Sequence, residues 1–421
     1  MNVWKKICLI ITIALLAYPT FTNAADWPQW LGPDRNGISK ETGLLKTWPT
    51  DGPTMRWQIT NLGGGYGTPV VVSDRLYILA NEGMDNEYVR ALDIKNGQQI
   101  WSTRIGKVGK PDQKPNYPGS RSTPSVDGNL LYVFGSDGNL ACLETATGKT
   151  RWHLNVRDKF NGQPGRWAYS ESPLIDGDLL ICAPGGPEAT LIALNKITGD
   201  LVWKSSIPEG GQAAYASTVV ATILGKKQYV HFLQKSLVGV DATNGKVLWQ
   251  YAKTSEGSPA NIPTPVVHNN HVYSASNRGG GGLVKIHTDQ GSTSATEIYH
   301  SLKLPRAVGG ALLINGYLYG TTDKAMQCVD FLTGEVKWTD RSVGSGAPLF
   351  ANGRIYIHSE KGEVALIDPT PDEYRELGRF TPPNQPNEGQ AKAWAYPVVA
   401  NGYLYILDTE TLSCYDVKEK E

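Results

Sequence analysis

Tyr66, Arg121, Trp167 with Tyr169 and Glu171, Tyr215, Asn261, Arg306, and Lys392 with Trp394 share one placement. Each stands a few residues ahead of an apolar run that opens a recurring cycle. Gathered at one place, they would make a ring of aromatic faces with a few charged and amide groups, which suits a planar cofactor or a sugar. The same side chains could instead pair with each other, Glu171 with Arg121 or Arg306, and fill the space they surround, because structural ion-pair networks also cluster charges. Other chemistries lack a motif. The seven histidines are scattered, His268 and His271 flanking a turn, and no Cys/His spacing of the zinc kind occurs. Gly63–Gly65 and Gly279–Gly282 lack the Lys-Ser/Thr and helix of a phosphate loop and read as flexible connectors. No Gly-x-Ser-x-Gly element supports nucleophilic hydrolysis.

Elements that could gather these residues must repeat, and the chain does. The pattern small-x-Asp-x-x-Thr/Asn-Gly-x-x-x-Trp occurs five times, ending at Trp101, Trp152, Trp203, Trp249 and Trp338. Its Asp or Asn can close an Asx-type turn, Gly97 and its equivalents supply the positive φ of the reversal, and the Trp follows on an alternating strand. A large aromatic at a fixed place is a packing residue, so the Trp strand should dock each sheet on the next. Ahead of this motif run a Ser/Thr-Pro-like entry, an apolar stretch, an Asp/Asn-Gly turn and a Leu-Tyr strand, as in Thr123–Tyr132. The cycle openings lie at Pro69, Pro124, Pro173, Thr218, Pro265, Ala311, Pro348 and Pro397.

Four antiparallel strands per cycle and eight openings predict an all-β chain, an eight-bladed β-propeller. The last cycle stops at Asp416 without a Trp strand, while Thr54–Ile59 is a Trp strand without its turn. Joined, they close the ring. The fifth cycle carries its aromatic at Tyr299 and the seventh ends at Pro369 with no Trp. The expected organisation is therefore a signal peptide over 1–24, a leader segment over 25–53 and the propeller over 54–417.

This turn–Trp repeat closely resembles that of the pyrroloquinoline-quinone (PQQ) family, shared by quinoprotein alcohol dehydrogenases and the outer-membrane assembly lipoprotein BamB. The resemblance runs from Trp57 to Asp416, and the leader Trp27–Gly37 resembles the start of secreted PQQ-like repeat proteins. It implies one of two functions. One is an exported scaffold that binds a protein or glycan through its loops, without a cofactor. The other is a PQQ-dependent alcohol or sugar dehydrogenase, with the quinone in the central channel, a Ca²⁺ on Glu, Asn and Asp oxygens, and an Asp base. Glu171 and Asn261 could join such a ligand set, since a hard cation takes oxygen donors. No Asp lies in the aligned ring, however, and no adjacent Cys-Cys pair occurs. The expectation leans away from an enzyme.

Composition sets the surroundings. The 421 residues carry a formal net charge of +0, which argues against nucleic acid as a partner. Lys5 and Lys6, the apolar run Ile7–Ala17 and Ala24-Ala25 form a secretory signal, too short to span a bilayer. Cys8 lies inside that run and no lipid-accepting Cys follows it. A periplasmic or secreted monomer without a transmembrane span is expected. Cys142, Cys328 and Cys414 occupy the same repeat slot in different cycles, so they should be buried free thiols rather than disulfide partners.

Overall fold

In the computed structural model, residues 25–109, 119–383 and 392–419 are described. The expected signal peptide over 1–24 lies outside them. Eight four-stranded antiparallel sheets make up the fold, each in the order inner to outer. Their innermost strands are Val70–Val72, Ser125–Asp127, Leu174–Asp176, Val219–Ile223, Val266–His268, Ala311–Ile314, Gly346–Ala351 and Val398–Ala400. They open at the positions read from the sequence. These sheets, numbered in that order as blades 1 to 8, form an eight-bladed β-propeller. Blade 8 takes its outer strand, Thr54–Ile59, from the N-terminal end, with Trp57 opposite Cys414.

The turn motif joins each blade to the next. Asp93 Oδ1 accepts from Lys95 N at 2.7 Å, and Asp241 Oδ1 from Thr243 N at 2.9 Å. These Asx turns present a glycine, and the outer-strand aromatic of the preceding blade lies flat against it. A Cβ placed on Gly245 would sit 2.5 Å from the Trp203 ring, and one on Gly334 2.8 Å from Tyr299. At several joints the indole N–H also donates to the turn: Trp57 to Ile94 O at 2.8 Å, Trp101 to Thr145 O at 3.0 Å, Trp152 to Lys196 O at 3.0 Å. Tyr299 does the same with its hydroxyl, to Phe331 O at 2.9 Å. The drifted fifth slot is a working substitute.

The seventh slot is filled from outside its own blade. There Leu366 pairs with Gly378, where the other blades carry the aromatic. Leader residue Trp48 packs over that glycine, 2.6 Å from its would-be Cβ. Its ring lies 5.7 Å from Tyr356, as Trp57 lies 6.0 Å from the equivalent Tyr405. The N-terminal stretch ahead of blade 1 therefore supplies two successive blade aromatics, Trp48 and Trp57.

Between Ala25 and Trp48 the leader enters the channel and bonds to its inner strands. Trp27 pairs with Val71 of blade 1, and Pro28 O accepts from Val126 N of blade 2 at 2.8 Å. Arg35 donates to Ser172 O and Pro173 O of blade 3 at 2.9 and 3.1 Å. Ser39 N donates to Phe350 O of blade 7 at 2.7 Å, and Glu41 accepts from Asn401 N and Gly402 N of blade 8. The leader is thus an interior anchor of the propeller.

Two glycine-rich stretches are not the flexible connectors expected. Gly280–Asp289 is a strand, and a Cβ on Gly281 would collide with the Tyr273 hydroxyl. Gly65 bridges Ser120 of the next blade. Close backbone approach explains these glycines better than flexibility. The described cysteines, Cys142, Cys182, Cys328 and Cys414, are all free and buried.

Candidate functional site

At the end of the channel where the inner strands begin, a funnel of about 450 Å³ opens to solvent. Tyr66, Arg121, Trp167, Tyr215, Arg306 and Trp394 line it. They converge because each precedes an inner strand, and all inner strands start at the same mouth. Tyr66 and Trp394, from blades 1 and 8, pack at 5.1 Å with their rings tilted by 48°. Across the funnel Trp167 and Tyr215 lie 6.2 Å apart at 50°, and the Tyr215 hydroxyl accepts from Trp167 N at 2.9 Å. The Arg121 guanidinium sits 6.0 Å from the Tyr66 ring. Burial lowers the Arg121 pKa and raises that of the Tyr215 phenol.

The remaining sequence candidates do other work. Tyr169 is buried against Phe134 and donates to Pro184 O at 2.9 Å. The Asn261 amide donates to Leu233 O and Gln234 O at 2.7 and 2.9 Å, tying its loop to blade 4. Lys392 stands at the rim, 3.4 Å from Glu360, which lines the funnel. Glu171 is buried in the wall. Its oxygens accept from Ala183 N at 2.6 Å and Thr218 Oγ1 at 2.9 Å, and the leader's Arg35 is its nearby cation. Burial pushes this carboxyl up to about 7, and lowers Arg35 to about 10 and the adjoining His231 to about 3. His231 Nδ1 and Thr218 Oγ1 are 2.8 Å apart. The result is a sealed polar cluster that fixes the leader to blades 3 and 4.

Of the funnel residues that were not among the sequence candidates, four bear most on its chemistry. Arg278, Asp323 and Glu360 sit on loops that follow the second strand of their blades. In an antiparallel blade those loops return to the mouth from which the inner strand departs, so topology alone would have pointed to them. Trp30 is the fourth. It reaches the funnel from within the channel, donating to Thr264 Oγ1 at 2.9 Å and meeting Tyr396 edge-on at 4.7 Å. Nothing in its local sequence announces this.

Both funnel acids are engaged. Asp323 lies 3.1 Å from Arg306, which also donates to Leu302 O, and Glu360 is held by Lys392 and by Ser345 Oγ at 3.1 Å. Among the described residues no three His, Cys, Asp or Glu side chains gather in a way that could hold a metal. The Glu171 oxygens are held by Ala183 and Thr218, while Asn261 is tied through its Nδ2 and its buried Oδ1 has no hydrogen-bond partner among the described residues.

Among known proteins, the chain is 28% identical over 239 residues to the outer membrane protein assembly factor BamB of Burkholderia pseudomallei, covering 49% of this chain and 60% of that protein. It is 23% identical over 328 residues to the quinoprotein alcohol dehydrogenase PedH of Pseudomonas putida, covering 75% and 49%. The chain thus spans about half to three-fifths of the length of these curated relatives. In structure it resembles BamB from Moraxella catarrhalis, with a TM-score of 0.61 at 14% identity over 86% of this chain and 99% of that one. A europium-containing methanol dehydrogenase gives 0.67 at 12% identity over 91% and 89%. These two likenesses establish the propeller alone. A family model described as outer membrane protein assembly factor BamB matches residues 85–340, well over half of the sequence, and the chain belongs to that PQQ-like repeat family.

Proposed function

We propose that this protein is an exported binding scaffold, which holds part of a protein or glycan partner in the channel funnel, and not a dehydrogenase. The observation that carries this reading is the engagement of Asp323 and Glu360 by Arg306 and Lys392. Alcohol oxidation needs a base within reach of the substrate hydroxyl, and Ca²⁺ needs several converging oxygens. A funnel walled by tryptophan, tyrosine and arginine offers contact surface instead, and these residue types dominate binding hot spots. The family match to an assembly factor supports the same side.

Export rests on the Lys5–Ala25 signal pattern, and no described helix is long and apolar enough to cross a membrane. N-terminal sequencing of protein recovered from the periplasm should begin at Ala25 or Asp26. The function is tested by adding PQQ and Ca²⁺ to the purified chain with alcohols, sugars and a redox dye. No quinone-dependent dye reduction is expected. Sustained reduction that needs both additives would replace the scaffold with the quinoprotein reading, which the similarity to PedH along 75% of the chain keeps in play.

A further inference from the structure

The leader carboxylate Glu41 is 4% exposed, and among the described residues no cationic side chain lies within ion-pair distance of it. The adjacent Lys40 is turned to Asp34 at 3.1 Å, and the Lys418 ammonium sits over the Tyr403 ring at 4.4 Å. What holds Glu41 is backbone. Its Oε1 accepts from Asn401 N and from Ala25 N, both at 2.6 Å, and its Oε2 from Gly402 N at 3.1 Å. Asn401 and Gly402 form the first hairpin turn of blade 8 with φ of +56° and +75°, and their successive N–H groups converge on the carboxylate as a small anion-binding nest. A buried carboxylate is costly without a positive partner as well as hydrogen bonds. The third donor decides whether one arrives.

That donor, Ala25 N, is also where the exported chain should begin. Thr22 and Ala24 are small residues at the third and first places ahead of the Ala24–Ala25 bond, and cleavage one residue later would put Asn23 at the third place. Hydrolysis adds water across this bond, leaving a carboxylate on Ala24 and an amine on Ala25. An α-amine, with an ordinary pKa of about 7.7–8.0, takes up a proton at neutral pH. In the uncleaved chain Ala25 N is a neutral peptide donor, and after cleavage the same atom carries the missing charge.

We propose that Glu41 is a binding site for the chain's own new N-terminus, the α-ammonium formed when the signal peptide is removed. The site lies on the seam of the ring. Asp26 Oδ1 accepts from Ser73 N of blade 1 at 2.8 Å, and Asn401 Nδ2 of blade 8 donates to Ser73 O at 3.1 Å. The ammonium thus fastens the leader where the first and last blades meet, and with it the segment that carries Trp30 into the funnel. Processing completes the fold as well as releasing the chain. This rests on the export reading and goes beyond it.

The test compares purified chains that begin at Ala25 with the α-amine free or enzymatically acetylated, each with Glu41 or Glu41→Gln. At pH 7 acetylation should lower the melting temperature of the Glu41 chain by about 3 °C or more, and of Glu41→Gln by no more than about a third of that. No effect in the Glu41 chain, or an equal effect in both, would overturn the proposal. Should Glu41→Gln fail to fold, one glycine added ahead of Ala25 serves instead. It keeps the charge but moves it off the carboxylate, so it should lower the melt as acetylation does, and an unchanged melt overturns the site. N-terminal sequencing of the periplasmic protein separates this from the export reading. A start at Ala25 without an acetylation effect removes the site alone, whereas an uncleaved chain confined to the cytoplasm removes export and the proposal with it.

Discussion

Single residues in the turn motif do two jobs at once. Gly245 has a φ of +73° and its face is covered by Trp203, so a methyl group there meets both a backbone penalty and a ring. Gly245→Ala should destabilise by about 1–3 kcal/mol, the usual cost of overpacking a tight joint, and Trp203→Ala by about 3–5 kcal/mol. Denaturant melts of the two variants check both. Trp203 contributes by packing, because its indole nitrogen is without a hydrogen-bond partner among the described residues. Asp408 gives a pH signature. Both of its oxygens lack partners among the described residues, it is 3% exposed, and burial pushes its pKa up to about 7. A carboxyl raised in the fold binds more protons there than in the unfolded chain, so its ionisation removes stability as pH rises from about 4 to 7. His231 and His358, held down to about 3 and 4 by burial, act in the opposite sense as pH falls below 6.5. Asp408→Asn isolates the first effect: its melting temperature should exceed that of the parent at pH 8 and by less at pH 5. The buried Cys142 and Cys414 thiols, pushed up to about 11 and 12, should resist alkylation at pH 8 until the chain is unfolded.

At the scale of the element, the leader is the part that sequence reading undervalued. Trp57 was legible as an orphan because its strand lacks a turn while the last cycle lacks a strand. Trp48 was not legible, since the glycine it covers is Gly378 and no periodicity links positions so far apart. Trp48→Ala should cost about 3–5 kcal/mol despite lying outside every repeat. Deleting Asp26–Ile59 should do more. It removes two blade aromatics and bares the edge of Thr411–Asp416, so size-exclusion profiles should show association and the melt should shift down. A monomeric truncation with an unchanged melt would contradict this closure. The glycine-rich stretches misled for a related reason: glycine marks both a loose chain and a backbone pressed against a neighbour, and only packing distinguishes them.

For the whole molecule, the ring was readable because eight openings and a fixed turn leave little choice of architecture. The funnel was half readable. Alignment of the openings gathers residues on one kind of loop, and so finds Tyr66, Arg121 and Trp394. It also collects Tyr169, Glu171 and Asn261, whose side chains turn into the wall to satisfy buried backbone groups. Sequence position fixes which mouth a residue approaches but not which way it faces. The closing strand has a consequence in time as well as in space. Thr54–Ile59 is made early, yet its partner Thr411–Asp416 is among the last segments to be synthesised. The early blades can pair as they emerge, but the first strand must stay unclaimed until the chain is nearly complete. A chain stalled before Thr411 would therefore carry an unpaired strand at its beginning as well as an open blade at its end. Quality control that recognises exposed strands could tell an unfinished molecule from a finished one at either terminus.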